Sequence, residues 1–397
     1  MKNIRFIMFI IFLMTTACFA RGQQNKNNLT YIINQAMIKY TVPAASLAII
    51  NHNQITLVRV YKNPNYPKLR VTTNTMFQAA SMSKSVVAFA ALRLIQQKKL
   101  TLDGNVNTLL KTWKIPKNKF TRKNSVTVRN IVSMTSGLSV HGFAGYSVGA
   151  KLPSLVQILN GQSPANSPPI RVTFVPGTKY LYSGGGLLVL QQLMTDVTNK
   201  SFPLEMKHLV LRPLGMKNSL FARSLDKKLS LQVIPGFYSM ADNHGAMVEG
   251  GWHNYPELGA AALWTTPKDL AKFVINIIKS YQGKKEGLLK QNMAKKMLTR
   301  QKNSVFGLGV IINGKGRNLN FGKAGRNLGY ISLMIGFPNT GQGAILMINS
   351  NDNLPFIEKV MQAIGRIYKW PPMHSLHIDK YKNIIEEQFI LTSLGNS

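Results

Sequence analysis

Alternation of apolar and polar positions predicts β-strands near both ends of the chain. Two short β-patterned runs, Ala45 to Ile50 and Gln54 to Tyr61, are joined by Asn51-His52-Asn53. Because Asn tolerates a positive φ, the connection predicts a β-hairpin. The period of two returns late in the sequence, where antiparallel strands are predicted at Phe306 to Ile312, Asn318 to Phe321, Tyr330 to Ile335 and Ala344 to Ile348.

Helical patterns occupy most of the interval between these strands. Apolar residues are so frequent from Ser81 to Lys98 that this helix is predicted to be buried on several sides. Thr266 and Pro267 form a good helix start, with Thr as the cap and Pro in the first turn. The other predicted helices are Leu29 to Lys39, Val128 to Ser133, Ser154 to Leu159, Gly186 to Thr195, Phe202 to Leu211 and Leu354 to Tyr368.

Strands at both ends with helices between them predict an α+β fold. We expect one antiparallel sheet flanked by helices, with a mainly helical subdomain inserted into it. The sheet subdomain is assigned to residues 25–79 and 301–370, and the mainly helical subdomain to residues 80–300. Residues 371–397 are interpreted as an appended C-terminal tail.

Residues 1–20 have the pattern of a secretory signal peptide. Lys2 and Arg5 precede a short apolar core from Phe6 to Met14, which is too short to span a bilayer as a resident helix. Cleavage after Ala20 would remove Cys18, the single cysteine, and release a soluble periplasmic or extracellular protein. Lipoprotein anchoring through Cys18 is the alternative, which the missing leucine three residues earlier disfavours.

The chain carries far more basic than acidic residues, and this limits which catalytic groups it can use. The chain has 49 Lys plus Arg against 14 Asp plus Glu, a formal net charge of +35. Paired carboxylates and all-oxygen metal cages are therefore disfavoured, and hydroxyls and amines are the expected catalytic groups. The excess suits an anionic cell-envelope surface, but the spread of the lysines favours a solvated basic surface. No nucleic-acid-binding motif is present, and the seven histidines lack metal-ligand spacing, so we expect no nucleic acid, metal or cofactor.

Ser81-Met82-Ser83-Lys84 places a hydroxyl and an amine three residues apart at a helix start. Positions i and i+3 share a helix face, so the two side chains can be neighbours. A serine hydroxyl needs a base to become a nucleophile, and a buried lysine can be neutral enough to serve. Ser and Lys at this spacing are also common on exposed helices, so the motif alone does not decide.

Two further tripeptides carry hydroxyl or amine side chains that could take part in the same chemistry. Tyr182-Ser183-Gly184 alone could be a glycine-rich turn with a half-buried aromatic residue, and Lys323-Ala324-Gly325 a surface lysine beside a β-bulge. With Ser81 to Lys84, and in this order, they resemble the serine β-lactamase and penicillin-binding protein superfamily. The likeness is greatest to its class C-type branch, with D,D-peptidases, D-aminopeptidases and carboxylesterases. Segments such as "VTVRNIVSMTSGL" and "ALWTTPKDLAKFV" extend it over roughly Leu29 to Lys369.

This resemblance implies a β-lactamase/transpeptidase-like fold and specific roles. Ser81 would be the acylated nucleophile and Lys84 its immediate partner. Tyr182 would move protons to and from the serine and the leaving group, and Lys323 would orient Tyr182 and attract a substrate carboxylate. The backbone N–H groups of Ser81 and Arg326 would form the oxyanion hole.

Two departures from the family pattern bear on the substrate. Gly184 stands where the family usually has Asn, which removes an amide that would hold an acylamide, and Ala324 replaces Thr. We predict substrate contacts at Ser183, Gly184, Ala324, Gly325, His141 and Tyr255. The last two belong to loops with Phe143, Tyr146, Trp252 and His253, which could equally well only pack on the rim.

The sequence therefore predicts an exported serine hydrolase that acts on an amide, lactam or ester through an acyl-enzyme. The substrate would be a small molecule or derived from peptidoglycan, and the oligomeric state stays open. One alternative is a penicillin-binding or sensing protein with little turnover; a basic nucleic-acid or membrane-surface protein is disfavoured. Gly145-Tyr146-Ser147-Val148-Gly149 matches the nucleophile elbow of α/β-hydrolases, but its flanks are Gly- and Ser-rich loop, so we interpret it as a chance match or rim loop.

Overall fold

The structure is a computed structural model that describes residue 24 and residues 27–240 and 243–371. The predicted signal peptide, Cys18 and the tail beyond residue 371 lie outside the described residues. None of the helices in the described ranges has the length and apolarity that a bilayer span requires.

The main sheet is antiparallel, with the strand order β2-β1-β11-β10-β9-β8. Its strands are β1 (Ala44–Asn51), β2 (Gln54–Lys62), β8 (Ile311–Asn313), β9 (Asn320–Asn327), β10 (Tyr330–Phe337) and β11 (Gln342–Ile348). The N-terminal hairpin is confirmed, and its turn residues His52 and Asn53 have φ of 51° and 60°. β1 pairs along its other edge with β11, so Ala45 lies opposite Ile348. The two ends of the sequence therefore build one sheet.

One strand prediction was too long. Of the predicted strand Phe306 to Ile312, only the last residues belong to β8. Gly309 (φ 95°) bends the chain onto the helix that follows Ser81, and its carbonyl accepts a hydrogen bond from Ser85 Oγ at 2.7 Å. The apolar residues Phe306, Leu308 and Val310 are buried there outside any regular strand, with an isolated bridge from Phe306 to Ile311, and this packing produces the alternating pattern.

The helices form around hydrophobic stripes and side-chain caps. Thr266 caps its helix through the Asp269 N–H, as predicted, and Thr127 and Ser154 each form a capping box. The helices are α1 (27–39), α2 (Ser83–Gln96), α3 (Val128–Val132), α4 (Leu155–Asn160), α5 (Gly184–Thr198), α6 (Phe202–Met206), α7 (Lys227–Ser230), α8 (Leu258–Ala261), α9 (Pro267–Tyr281), α10 (Gln291–Met297) and α11 (Leu354–Ile367). α6 continues into a π-helical turn, Lys207–Leu211.

The packing of the helices against each other and against the main sheet forms the scaffold of the site. α2 is buried along nearly its whole length, as predicted, and contacts α5 and α8. α9 belongs to the segment assigned to the mainly helical subdomain, yet it packs on β1, β10 and β11. A small sheet has the order β3 (Phe77–Gln78), β7 (Leu263–Thr265) and β5 (Leu220–Phe221), and its strand β3 ends just before Ser81 in the chain. The α+β expectation is confirmed, while the exact subdomain boundaries stay predictions.

Candidate active site

Ser81 lies in a 3-10 turn, Ala80–Met82, at the junction between β3 and α2. Ala80 has φ 48°, a left-handed conformation that costs a non-glycine residue on the order of 1 kcal/mol. Side-chain hydrogen bonds hold the turn on both sides: Ser83 Oγ donates to the Ala80 carbonyl at 2.6 Å, and Ser332 Oγ donates to the Ala79 carbonyl at 2.9 Å. The surrounding packing thus fixes the backbone that presents the Ser81 hydroxyl.

Lys84 meets Ser81 as the spacing predicted. Its Nζ lies 2.9 Å from Ser81 Oγ and donates a hydrogen bond to the Ala260 carbonyl of α8 at 2.8 Å. Only 2 % of the residue is exposed, and this burial lowers the pKa of Lys84 from 10.5 to about 7. A large fraction of Lys84 is therefore neutral near neutral pH, when it can accept the serine proton.

Tyr182 lies between two lysines. Lys84 Nζ is 5.4 Å from the centroid of the Tyr182 ring, and Lys323 Nζ is 4.6 Å from the same centroid. The neighbouring Ser183 caps α5 by accepting a hydrogen bond from the Gly186 N–H at 2.8 Å, which fixes the position of the tyrosine. Lys323, on β9, and Tyr182 are both buried, so the interpretations as a surface lysine and a half-buried aromatic residue are wrong.

Strand β9 passes directly beside the nucleophile because Gly325 has no side chain. A Cβ at Gly325 would lie 2.3 Å from the Ala79 carbonyl oxygen and 2.8 Å from the Ser81 backbone nitrogen. Arg326 follows immediately, and its guanidinium forms an ion pair of 2.8 Å with Asp352. The two residues that the resemblance assigns to the oxyanion hole, Ser81 and Arg326, line the same cavity.

That cavity has a volume of about 240 Å³. Of the predicted substrate contacts, Tyr255 is in its wall, whereas Ser183 and Ala324 are buried in the structure behind it. The wall is formed by Ser81, Lys84, Gly142, Phe143, Ala144, His253, Tyr255, Ala261, Arg326, Asn327 and Leu328. Apolar and aromatic surface therefore faces the nucleophile from the loop side, and Arg326, paired with Asp352, also lines the cavity.

The loop that contains His141 and Phe143 explains why residue 184 is a glycine. A Cβ at Gly184 would lie 2.9 Å from both the His141 carbonyl oxygen and the Phe143 ring, and the Gly184 N–H donates to that carbonyl at 3.0 Å. The loop therefore occupies the space that an Asn side chain would need. His141 is half-buried, and burial lowers the pKa of its imidazole.

Sequence reasoning missed a buried amide network beside the cavity. Asn327 Nδ2 donates to Gln78 Oε1 at 2.6 Å and to the Ala261 carbonyl at 3.1 Å. Gln78 Nε2 in turn donates to the His253 carbonyl at 2.9 Å. The network joins β9, β3 and α8, the three elements that surround Ser81. Residues separated by up to 249 positions meet in it, so no local pattern indicates their contact.

Glu257 was also missed. It lies just before α8 with no exposed surface, and burial raises the pKa of its carboxyl group from 4.5 to about 8. The same burial effect, with a smaller contribution from the charge of Glu257, raises the pKa of Tyr146 to about 12. Nothing in the local sequence distinguishes this glutamate from a surface one.

The Gly145 to Gly149 segment does not have the architecture of a nucleophile elbow. Tyr146–Ser147 form the short strand β4, which pairs with β6 (His253–Asn254), and Ser147 is exposed. The chain then turns at Gly149 instead of entering a helix. Across the described ranges, no three His, Cys, Asp or Glu side chains are grouped so that they could hold a metal ion.

Comparison with known proteins agrees with this geometry. Residues 29–364 match the family described as Beta-lactamase, and this match covers most of the sequence. The chain belongs to the Beta-lactamase family. The superfamily that the three motifs resemble is thereby confirmed.

Relatives extend the comparison. A Salmonella typhimurium protein with the provisional name D-alanyl-D-alanine carboxypeptidase is 24% identical over 248 residues, which are 59% of this chain and 54% of that protein. The match thus spans about half of that relative. An octameric penicillin-binding protein homologue from Pyrococcus abyssi has a TM-score of 0.70 at 21% identity, covering 88% of this chain and 79% of its own. A D-amino acid amidase from Ochrobactrum anthropi SV3 has a TM-score of 0.70 at 19% identity, and the match covers 86% of this chain and 99% of the amidase. These solved structures confirm the β-lactamase/transpeptidase-like fold.

Proposed function

We propose that the protein is a serine hydrolase that forms an acyl-enzyme at Ser81. The observation that carries the proposal is the pair formed by Ser81 Oγ and the buried Lys84 Nζ, 2.9 Å apart, with the pKa of Lys84 lowered to about 7. A neutral amine at this distance can take the hydroxyl proton as the oxygen attacks a carbonyl carbon. The lysine is then protonated, and the negative charge lies on the substrate oxygen.

The rest of the site can complete the cycle. Ser81 and Arg326 backbone N–H groups would hold the oxyanion, as in the family pattern. Collapse of the tetrahedral intermediate breaks the bond to the leaving group, which takes a proton from Lys84 through Tyr182. Attack of water on the ester carbon releases the acid and restores the Ser81 hydroxyl. Lys323, 4.6 Å from the Tyr182 ring centroid, favours negative charge developing on the phenol.

The substrate class that we infer is a small amide at a D-configured centre, led by the D-alanyl-D-alanine dipeptide and D-amino acid amides. The cavity of about 240 Å³ at Ser81 suits a small acyl group. Names of similar proteins, a D-alanyl-D-alanine carboxypeptidase and a D-amino acid amidase, support amides at a D-configured centre. Because the His141 loop fills the space beside Gly184, no side-chain amide there can hold an acylamide. Substrates that carry an acylamide beside the scissile bond, acylated D-alanyl peptides and many β-lactams alike, should therefore be poorer than those with a free amino group.

Labelling with a fluorophosphonate, followed by peptide mass spectrometry, tests the nucleophile. We expect one adduct on Ser81 and none in Ser81→Ala. Ser147→Ala is the matched control, because Ser147 is an exposed serine in the other nucleophile-like motif. An adduct on Ser147, or undiminished labelling of Ser81→Ala, would refute the assignment.

Side-by-side assays of a D-alanyl-D-alanine peptide, a p-nitrophenyl ester and a chromogenic cephalosporin test the substrate class. We expect turnover of the D-alanyl peptide to exceed that of the cephalosporin. An acylation burst without sustained turnover on any of the three would favour the alternative of a penicillin-binding or sensing protein. Ser81→Ala again serves as the blank for each assay.

We also propose that the chain is exported, on the basis of its first twenty residues. N-terminal sequencing of the protein purified from the producing cell tests this. A mature chain that begins at Arg21 would support release after Ala20. A lipid-modified N-terminal Cys18 would instead support anchoring, and an uncleaved Met1 would contradict export.

A further inference from the structure

A second cavity, remote from Ser81, combines an apolar floor with a cationic rim. It lies between α6 with its π-helical turn and the chain from Arg212 to Phe221, and its volume is about 700 Å³. None of its lining residues belongs to the wall of the cavity at Ser81. A cavity of this size is within the range of about 300–1,000 Å³ that binds small molecules. We name it the α6–β5 cavity.

The floor of the α6–β5 cavity is apolar. Leu211, Met216 and Phe221 line it from the buried side, and each is less than 5 % exposed. Leu204 also lines the cavity and is 42 % exposed, so apolar surface continues from the floor to the opening. Gly215 faces open space, since no atom lies within 4 Å of where its Cβ would be. This surface is suited to an alkyl chain.

The rim carries three exposed cations, Lys207, Arg212 and Lys217. Within the described part of the chain, none of the three forms an ion pair. Of the carboxylates around the cavity, Asp269 pairs with Lys272 at 2.7 Å and accepts a hydrogen bond from the lining Ser219 Oγ at 3.0 Å, and Glu205 lies 3.9 Å from Lys200. The positive charge of the rim is therefore available for an anion, and Arg212 can bind a carboxylate through two parallel hydrogen bonds.

An irregularity of the backbone places these groups together. α6 changes at Lys207 into a π-helical turn that ends at Leu211. Such turns are rare, and they are frequent at functional sites. This turn presents the Lys207 cation and the Leu211 side chain to the same cavity.

We propose that the α6–β5 cavity binds a fatty carboxylate, with the alkyl chain on the floor and the carboxylate between the three rim cations. A purely apolar ligand would leave the rim unused, and a small anion such as phosphate would leave the floor uncovered. The complementarity requires both parts in one molecule. This site is independent of the chemistry at Ser81.

Isothermal titration of the purified protein with decanoate below its micelle concentration tests the proposal. We expect saturable 1:1 binding, and binding of decyltrimethylammonium, with the opposite head charge, at least about tenfold weaker. The triple variant Lys207→Gln, Arg212→Gln, Lys217→Gln should weaken decanoate binding by about tenfold or more. Leu204→Glu, an exposed substitution that puts an acid at the opening, should do the same.

The matched control is Lys117→Gln, Arg122→Gln, Lys123→Gln, which removes the same charge from an exposed loop elsewhere. This control should leave decanoate affinity unchanged. An equal loss of affinity in both triple variants would show that only the net charge of the protein matters, and it would overturn the proposal. Protein labelled at Ser81 with a fluorophosphonate should bind decanoate as well as unlabelled protein. Loss of binding on labelling would place decanoate at the active site instead. Binding to anionic vesicles without binding of free decanoate would indicate a membrane surface and also overturn the proposal.

Discussion

The rate at which Ser81 is acylated should follow the titration of Lys84. Burial lowers the pKa of this amine to about 7, and only its neutral form can accept the serine proton. With that pKa, the neutral fraction rises about 50-fold between pH 5 and pH 7 and by only about a tenth between pH 8 and pH 9. An amine at its ordinary pKa of 10.5 would instead gain about tenfold between pH 8 and pH 9.

The assay is a time course of fluorophosphonate labelling at constant ionic strength from pH 5 to pH 9, with the adduct quantified by mass spectrometry. The pseudo-first-order rate should level off above pH 8. A rate that rises tenfold per pH unit through pH 9 would refute the assignment of Lys84 as the base. His141→Gln is the control, because His141 is a half-buried histidine in the loop beside the site, with a lowered pKa. The same inflection is expected in this variant, and its disappearance would assign the titration to His141.

Three further predictions concern the packing around Ser81. Gly325→Ala forces β9 away from the Ser81 N–H, so the labelling rate should fall on the order of 100-fold, as on loss of an oxyanion donor; an unchanged rate would separate β9 from the oxyanion site. Asn327→Ala leaves Gln78 and the Ala261 carbonyl without their partner, and urea titration should show a loss of about 1–3 kcal/mol. A loss below about 0.5 kcal/mol would be within the range of ordinary surface substitutions and contradict this. Glu257→Gln should gain stability over the parent as pH rises from 5 to 8, by about 1 kcal/mol per pH unit.

The sign of the Glu257 effect follows from its raised pKa. Unfolded, the carboxyl loses its proton near pH 4.5, whereas in the folded protein it keeps the proton up to about pH 8. The folded state therefore binds more protons in that window, and stability falls as pH rises through it. Gln cannot titrate, so the difference in unfolding free energy between Glu257→Gln and the parent isolates this group. Parallel stability curves from pH 5 to pH 8 would show that Glu257 titrates alike in both states.

Local patterns were sufficient for most of the scaffold. The hairpin of β1 and β2 and the helix that begins after Thr266 follow from turn chemistry, alternation and capping, which depend on residues close in sequence. The Ser81 to Lys84 contact follows from helix geometry for the same reason. The lowered pKa of Lys84 does not follow from local sequence, because it comes from burial beside α8, which is distant in the sequence.

Long-range packing accounts for what could not be predicted. The alternation from Phe306 to Val310 reflects burial of these side chains outside any regular strand, and burial gives the same sequence pattern as a strand. The loop at His141 and Phe143 occupies the space beside Gly184. The Asn side chain that the family usually has at this position is therefore replaced by packed loop atoms, which the sequence alone does not show. Glu257 is typical of a surface residue in composition, and only the tertiary fold shows that it is buried.

The pairing of β1 with β11 also affects how the protein is made. The hydrogen bond from the Ala44 N–H to Asn349 Oδ1 joins residues 305 positions apart. At about 5–20 residues per second of synthesis, a ribosome needs roughly 15–60 s to add the partner of β1. During that time β1 can pair with β2 but its other edge has no partner, and late closure of so long a loop slows folding. The newly made chain therefore depends on protection from aggregation until its last strand emerges.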